Sequence, residues 1–199
     1  MSTIKTNQLA HTANGAAIYT LPQTDGSAGQ VLTTNGSGVL SWANDSAGKI
    51  LQVVSTTKTD TFSVTSNGTE QEVTNLNATI TPTSNTRKIL ITISLTYSAN
   101  GTTYKGRIKR DSTAILQGDA SGGKQQASFG LGFTGDENQA DVASFTGLDT
   151  PGDTNAHTYK VFVINDNSLN IFINRSRQDH NDNRGGRHVS TVTLMEIAA

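Results

Sequence analysis

The residues most able to do chemistry are crowded into positions 176–187, SRQDHNDNRGGR. Asp179, His180 and Asp182 stand there among Arg177, Arg184 and Arg187, with Arg175 immediately before the run. The oxygens of Asp179, Asn181 and Asp182 could take a hard cation, which is bound by carboxylates and amides. A calcium loop, however, gathers more carboxylates at alternate positions, and four neighbouring arginines repel a cation. The same mixture of donors and acceptors suits a loop that binds an acidic glycan or a receptor surface. It equally suits a solvated loop or a contact between subunits. The candidate surface-binding set is Arg177, Asp179, His180, Asp182, Arg184 and Arg187, with no metal assigned to it.

Other groupings point less sharply. Residues 118–125, GDASGGKQ, come close to the phosphate loop G-x-x-x-x-G-K-[ST], with Gly118, Gly123 and Lys124 in place. Gln125 stands where the metal-binding hydroxyl is required, and QQASFGLGF alternates as a strand where a helix should open, so an ordinary glycine loop is expected. Asp136, Glu137 and Asp141 in 135–141, GDENQAD, could supply the carboxylate pair of a glycoside hydrolase. Such a groove is usually lined by aromatics, and the one tryptophan, Trp42, falls outside the C-terminal region. His11, His157, His180 and His188 share no metal-ligand spacing. His157 and His188 open predicted strands, where hydrogen-bonding edge residues are expected. No catalytic residue, cofactor or metal ligand is assigned.

Composition narrows the classes. The chain has 199 residues, 34% hydrophobic and 16% charged, with 19 glycines. About thirty threonines make it β-prone and helix-poor. A net charge of −1 gives no electrostatic footprint for nucleic acid. No apolar run approaches a membrane span, and MSTIKTNQLAHTANGAA has no apolar stretch of secretory-signal length. The absence of cysteine removes disulfides and thiolate metal sites. Assembly in the cytoplasm, without membrane passage, is the expectation.

The elements that would position these residues are strands. Residues 1–47 carry scattered apolar residues between polar, Gly-rich spacers, too sparse for a self-sufficient core and too apolar for a purely disordered tail. Within them GSAGQVLTT and GSGVLSWA nearly repeat one another. From Gly48 the pattern becomes strand, turn, strand. RKILITISLTYSANG (87–101) is the clearest case, with Ile89, Ile91, Ile93 and Leu95 on one face at period two. In 70–82 the alternation slips by one residue, as a bulge would make it. Asn67-Gly68 and Asn100-Gly101 read as hairpin turns. About ten strands with turn signals every 8–15 residues predict an all-β chain: an antiparallel, jelly-roll-like β-sandwich over 48–199, preceded by an extended Gly-rich β stem in 1–47.

TDGSAGQVLTTNGSGVLSW (24–42) resembles the DG-x-x-GQVL-x-T-(N/D)-G-SG-x-LSW segment of tail-fibre and other virion structural proteins of bacteriophages, especially marine and cyanobacterial ones. GKILQVV (48–54), ITPTSNTRKILITISL (80–95), RIKRDSTAILQGD (107–119), LDTPGDTNAHTYKVF (148–162) and INRS…RHVSTVTLMEIA (173–198) are similar to sandwich domains of the same proteins. STIKTNQLAHTANGA is similar to their short attachment segments. The resemblance implies a non-enzymatic virion component: a homotrimer held to other virion proteins by its N-terminal segment, projecting a C-terminal knob. It implies no catalytic residue.

A thin core agrees with association, since partner chains add buried area that one chain lacks. Three copies around an axis would enclose Val31, Leu32, Val39, Leu40 and Trp42. The knob's loops at 98–102, 118–124, 134–140 and 176–187 would meet a host cell-surface glycan. A tail fibre, a head fibre and a capsid cement or decoration protein all fit, and a virion glycan hydrolase is the enzymatic alternative.

Overall fold

The computed structural model describes residues 8–10, 18–44, 50–65, 68–101, 104–132, 134–165 and 170–198. Every element among them is a β-strand, and all paired strands run antiparallel. The chain divides into two compact units, Met1–Ala47 and Gly48–Ala199.

The first unit holds two short hairpins. β1 (Gln8–Ala10) pairs with β2 (Ile18–Thr20), and β3 (Gln30–Thr34) with β4 (Leu40–Asn44). Thr20 N donates to Gly38 O at 2.8 Å and ties the hairpins together. The β3–β4 turn is made by its sequence. Asn35 Oδ1 accepts from Ser37 N (2.8 Å) and Val39 N (3.2 Å), and Gly36 and Gly38 adopt φ of +80° and +83°. Those angles exclude most side chains. None of the residues 19–44 is buried.

The second unit is a two-sheet sandwich. In one sheet β5 (Ile50–Lys58) and β6 (Phe62–Val64) follow one another along the edge. Beside them run β15 (Ser190–Ile197) and β14 (Ile171–Ile173), then β8 (Lys88–Ala99), then β12 (Asp141–Asp149). In the other, β7 (Glu70–Ile80), β13 (His157–Asn165) and β9 (Tyr104–Arg110) lie in that order. β10 (Thr113–Ile115) and β11 (Phe129–Leu131) both pair on β9's far side. Treating β5/β6, β10/β11 and β14/β15 as single interrupted strands gives two four-stranded sheets in jelly-roll order.

This topology corrects two sequence expectations. Asn67 lies outside the described residues, but the strands flanking Asn67-Gly68 and Asn100-Gly101 do not form hairpins: β6 pairs with β14 and β7 with β13, while β8 and β9 belong to different sheets. Gly68 keeps the positive φ of a turn (+72°), and its N–H bonds Asn165 O on β13, so the chain changes sheets there. The hairpin joining β9 to β10 turns at Asp111 (φ +55°), without glycine. The bulge expected in 70–82 is present. β13 shifts register against β7 between Lys160 and Phe162, and Asn75 sits at φ +63°.

Ile89, Ile91, Ile93 and Leu95 of β8 face Val73, Leu76, Ile80, Ile108, Tyr159 and Val161 across the sandwich, all buried. Several polar groups share this interior. Tyr159 Oη donates to Asp149 Oδ2, which also receives Arg110 Nη1 at 2.6 Å. Glu196 is fully buried and accepts from Thr83 N (2.7 Å), Thr83 Oγ1 (2.6 Å) and Gln52 Nε2 (2.6 Å), fastening the 81–87 connection to the sheet. Lys58 is buried and pairs with Asp60 at 2.7 Å.

The outward faces differ in chemistry. On the β7–β13–β9 sheet, Glu70 binds Arg107 (2.8 Å) and Lys109, Lys160 reaches Glu72 (3.3 Å), and Lys109 lies 4.6 Å over the Phe162 ring. The outward face of β5–β15–β8–β12 carries four cross-strand rows. Val53, Met195, Leu90 and Leu148 form the first, Ser55, Thr193, Thr92 and Thr146 the second, and Thr57, Thr191, Ser94 and Ser144 the third. Thr96 and Val142 make the fourth, with Val189 O accepting from Thr96 Oγ1 at 2.8 Å. No residue of these rows is charged, and a further row of Ile50, Ile197 and the exposed Lys88 adjoins the first.

Candidate functional site

The loop at 174–189 interrupts the strand that β14 and β15 share, and Asn174 builds its base. Asn174 takes φ +61° and is fully buried. Its Nδ2 donates to Lys58 O (2.9 Å) and Asp60 O (3.0 Å), and its Oδ1 accepts from Ser190 Oγ (2.6 Å). Its N–H bonds Thr96 O and its carbonyl accepts from His188 N, both at 3.0 Å. Left-handed backbone suits asparagine better than most residues. Arg175 then lays its guanidinium 3.9 Å over the Phe172 ring and donates to Ser176 O and Arg177 O.

Beyond this base the charges pair with one another. Asp179, at φ +53°, accepts from Arg187 and lies 3.7 Å from Arg175. Asp182 takes Arg184 Nη2 at 2.7 Å and Arg184 Nε at 3.2 Å. Arg184 holds the Asp182 carboxyl below the usual range and is itself held above its ordinary value. Burial lowers Arg175, Asp179 opposes that, and the charge of Arg187 adds to it. Gly185 N donates to Asp182 O at 3.0 Å, and a Cβ at Gly185 would stand 2.0 Å from His180 O. Only glycine admits that approach.

His180, Asn181, Asp182, Gly185 and Arg187 line an open depression of about 350 Å³. The predicted set thus divides. His180, Asp182 and Arg187 face the depression, Asp179 braces it, and Arg184 is tied to Asp182. Arg177 turns away to Glu137 (3.8 Å) on the neighbouring connection. Gly185 was not singled out in the sequence, although the Gly-Gly pair before Arg187 was its signal. No Phe, Tyr or Trp side chain among the described residues lines the depression, and its carboxylate Asp182 carries a guanidinium. Among the described residues no cluster of three His, Asp or Glu side chains could hold a metal ion. The surface offers alternating donors and acceptors, the chemistry of a polyhydroxylated ligand.

Of the four loops expected to converge, three do. Thr134 N and Oγ1 donate to Ala99 O at 3.2 and 2.9 Å. Gln178 N and Nε2 bind Glu137 O (3.1 Å) and Oε2 (2.8 Å). Ser98 Oγ reaches Arg175 O at 3.0 Å. The 118–124 loop is the exception, because it lies between β10 and β11 on the free side of β9 and closes on itself through Gly118 N to Ala127 O, 3.0 Å. It leads into strand β11, not a helix. Asp136, Glu137 and Asp141 are also separated in role: Asp136 caps Asn138 N (2.7 Å), Glu137 serves Gln178 and Arg177, and Asp141 opens β12.

The hairpin residues divide as well. Leu32 pairs with Trp42 and Thr34 with Leu40, while Val31 pairs with Ala43. Strand alternation puts Leu32, Leu40 and Trp42 on one face and Val31 on the other. Val31, Leu32, Val39 and Trp42 are all exposed. Trp42 Nε1 donates to Thr24 O at 2.9 Å, and its ring lies where a Cβ on Gly26 would be 2.6 Å away.

No family model matches the sequence, and no curated protein is similar to it. Among solved structures, one of infectious bursal disease virus, Gt strain, superposes with a TM-score of 0.39 at 12% identity, over 79% of this chain and 42% of that chain. The VP2 subviral particle of the same virus gives 0.38 at 13% identity, over 79% and 41%. This chain spans about two fifths of those chains, and likenesses of this depth do not establish a relationship.

Proposed function

We propose that the chain is a non-enzymatic structural component of a bacteriophage virion, a short trimeric fibre or knob. In this reading residues 1–47 attach it to other virion proteins and form the trimer. The jelly roll then presents the connected ends of 98–101, 134–140 and 174–189 to a glycan on the host surface. The observation that carries the reading is the β3–β4 hairpin. The segment with the fibre-like GQVL and GSGVLSW motifs leaves Val31, Leu32, Val39 and Trp42 exposed in a single chain. Such residues gain burial only from neighbours.

Binding, not catalysis, is assigned because Asp136 and Glu137 serve separate structural partners, Asp141 stands apart at the start of β12, and the depression is shallow and polar. Weak hydrogen-bonded contacts of this kind become effective when three copies act together. Jelly rolls serve in capsids and in lectins, so the fold alone does not choose a role. Labelling the protein on intact particles tests the assignment. The expected result is label at a projecting site, with purified protein binding host cells and leaving their polysaccharide intact. Particles without label, or depolymerised polysaccharide, overturn it.

A further inference from the structure

Among the described residues of the second unit, the exposed large hydrophobic residues lie on one surface. Val53 (56% exposed), Leu148 (44%), Ile50 and Leu51 are at one end of the outward β5–β15–β8–β12 face, and Val142 (60%) and Val189 are at the other. Two rows of serine and threonine separate these ends. The opposite outward face carries the ion-paired lysines, arginines and glutamates. A flat face whose four rows carry no charge, with Lys88 and Ile197 in the next row beside Ile50, is not what solvent exposure selects.

We propose that this face is covered by a second copy of the same face, packed sheet against sheet. Three features point to a copy. The side chains of the four rows can all meet themselves: a hydroxyl is both donor and acceptor and apolar groups are indifferent, whereas a charge within them would repel its own image. The order along the strands runs from the apolar first row through two hydroxyl rows to Val142 beside Thr96. A twofold contact whose axis runs along the strands therefore sets each row on its own copy, apolar on apolar and hydroxyl on hydroxyl. Size also fits. Four strands about 4.8 Å apart and four rows about 6.8 Å apart give roughly 500 Å² in projection. A face roughened by side chains then comes close to the ~800 Å² per partner of a stable interface. The contact is independent of the threefold association proposed above and uses none of its residues.

Sedimentation of the full chain reads the contact. Val53→Lys with Leu148→Lys, both at exposed edge-strand positions, should halve the mass, and Lys160→Gln on the opposite face should leave it unchanged. With a threefold stem the masses go from six chains to three, and without one from two to one, so the twofold ratio stands apart from the stem. Because the chain has no cysteine, Thr193→Cys near the centre of the face gives a second reading on an undisturbed fold. A short bis-maleimide should link its chains in pairs, and should not link Thr79→Cys on the other face. An unchanged mass in the double lysine variant overturns the proposal. So does a Thr193→Cys protein that stays unlinked, whether its thiol is free or shielded by another segment or partner.

Discussion

Tyr159 Oη donates to Asp149 Oδ2 at 2.7 Å and joins the two sheets through their interior. Asp149 is on β12, Tyr159 is on β13, and Arg110 of β9 completes the group at 2.6 Å. Burial first, and then the Asp149 charge, push the phenol far above its ordinary value. Tyr159→Phe should lower unfolding free energy by about 1–3 kcal/mol, the cost of stripping one partner from a buried polar group. Asp149→Asn should cost more, because Arg110 loses its counter-charge. Urea titrations give both values. The tyrosinate absorbance of Tyr159 should appear only after unfolding.

The His157 cluster sets a pH dependence. Its Nδ1 lies 2.8 Å from Asp111 Oδ2 and its Nε2 3.0 Å from Asp153 Oδ1. Burial pulls the imidazole down, but the two carboxylates outweigh it and raise the histidine above its ordinary value, while both aspartates are lowered. A raised histidine contributes stability that is complete below its unfolded value of about 6.5 and is lost as pH rises through the higher folded value. The lowered aspartates contribute above about 3.9 and lose it as pH falls. The melting temperature should therefore decline between pH 6 and 8 in the natural sequence and stay flat over that span in His157→Gln. A natural protein with no such decline would contradict the assignment.

Asn174 concentrates local bonding more than any other residue of the loop. Asn174→Gly keeps the left-handed backbone but abandons Lys58 O, Asp60 O and Ser190 Oγ. It should cost about 2–4 kcal/mol, since two or more buried groups lose partners. Asn174→Ala should cost more again, by roughly 1 kcal/mol for the positive φ. Amide exchange should show the loss first at Lys58 and Ser190, where the chain leaves the loop and enters β15.

Period-two alternation made much of the fold legible. Ile89 to Leu95 announced a strand with one buried face, and the thinning of apolar residues before Gly48 announced a segment of different character. Pairing partners were not legible, because alternation says which side is buried but not which strand lies beside it. Asn67-Gly68 and Asn100-Gly101 have hairpin chemistry, yet in a jelly roll the chain crosses between sheets there. Glu196 and Lys58 could not be placed in the interior from sequence, since their partners Thr83, Gln52 and Asp60 are assigned only by the fold. The loop of 176–187 was recognised by composition. Its division between a depression around His180 and a brace to Glu137 depends on contacts from β8 and the 134–140 connection.

Gly185→Ala tests whether the depression depends on close backbone approach. The added methyl would meet His180 O at 2.0 Å, so the 180–185 turn must open. Global stability should change little, because the turn lies outside the core. Binding to glycan arrays or host cells should fall at least tenfold, while Gly123→Ala in the 118–124 loop, where nothing lies within 4 Å of a new Cβ and the backbone is not left-handed, leaves binding unchanged. Equal binding by the two variants would move the contact surface away from 180–187.

Trp42 reports on the first unit because it is the only tryptophan. Its ring rests on Gly26 and its Nε1 is held by Thr24 O, yet it remains 39% exposed beside Leu32. If chains associate through the Leu32–Leu40–Trp42 face, emission should shift to shorter wavelength as concentration rises through the association range. Leu32→Ser should abolish that shift and reduce the sedimenting mass threefold. Gly26→Ala should lift the indole from its backbone seat and move the emission to longer wavelength, even in the dissociated chain. Val31→Ser alters the opposite face of the hairpin, so it separates the two sides. If it matches Leu32→Ser in effect, the hairpin is enclosed on both faces. If it has none, association uses the tryptophan side alone.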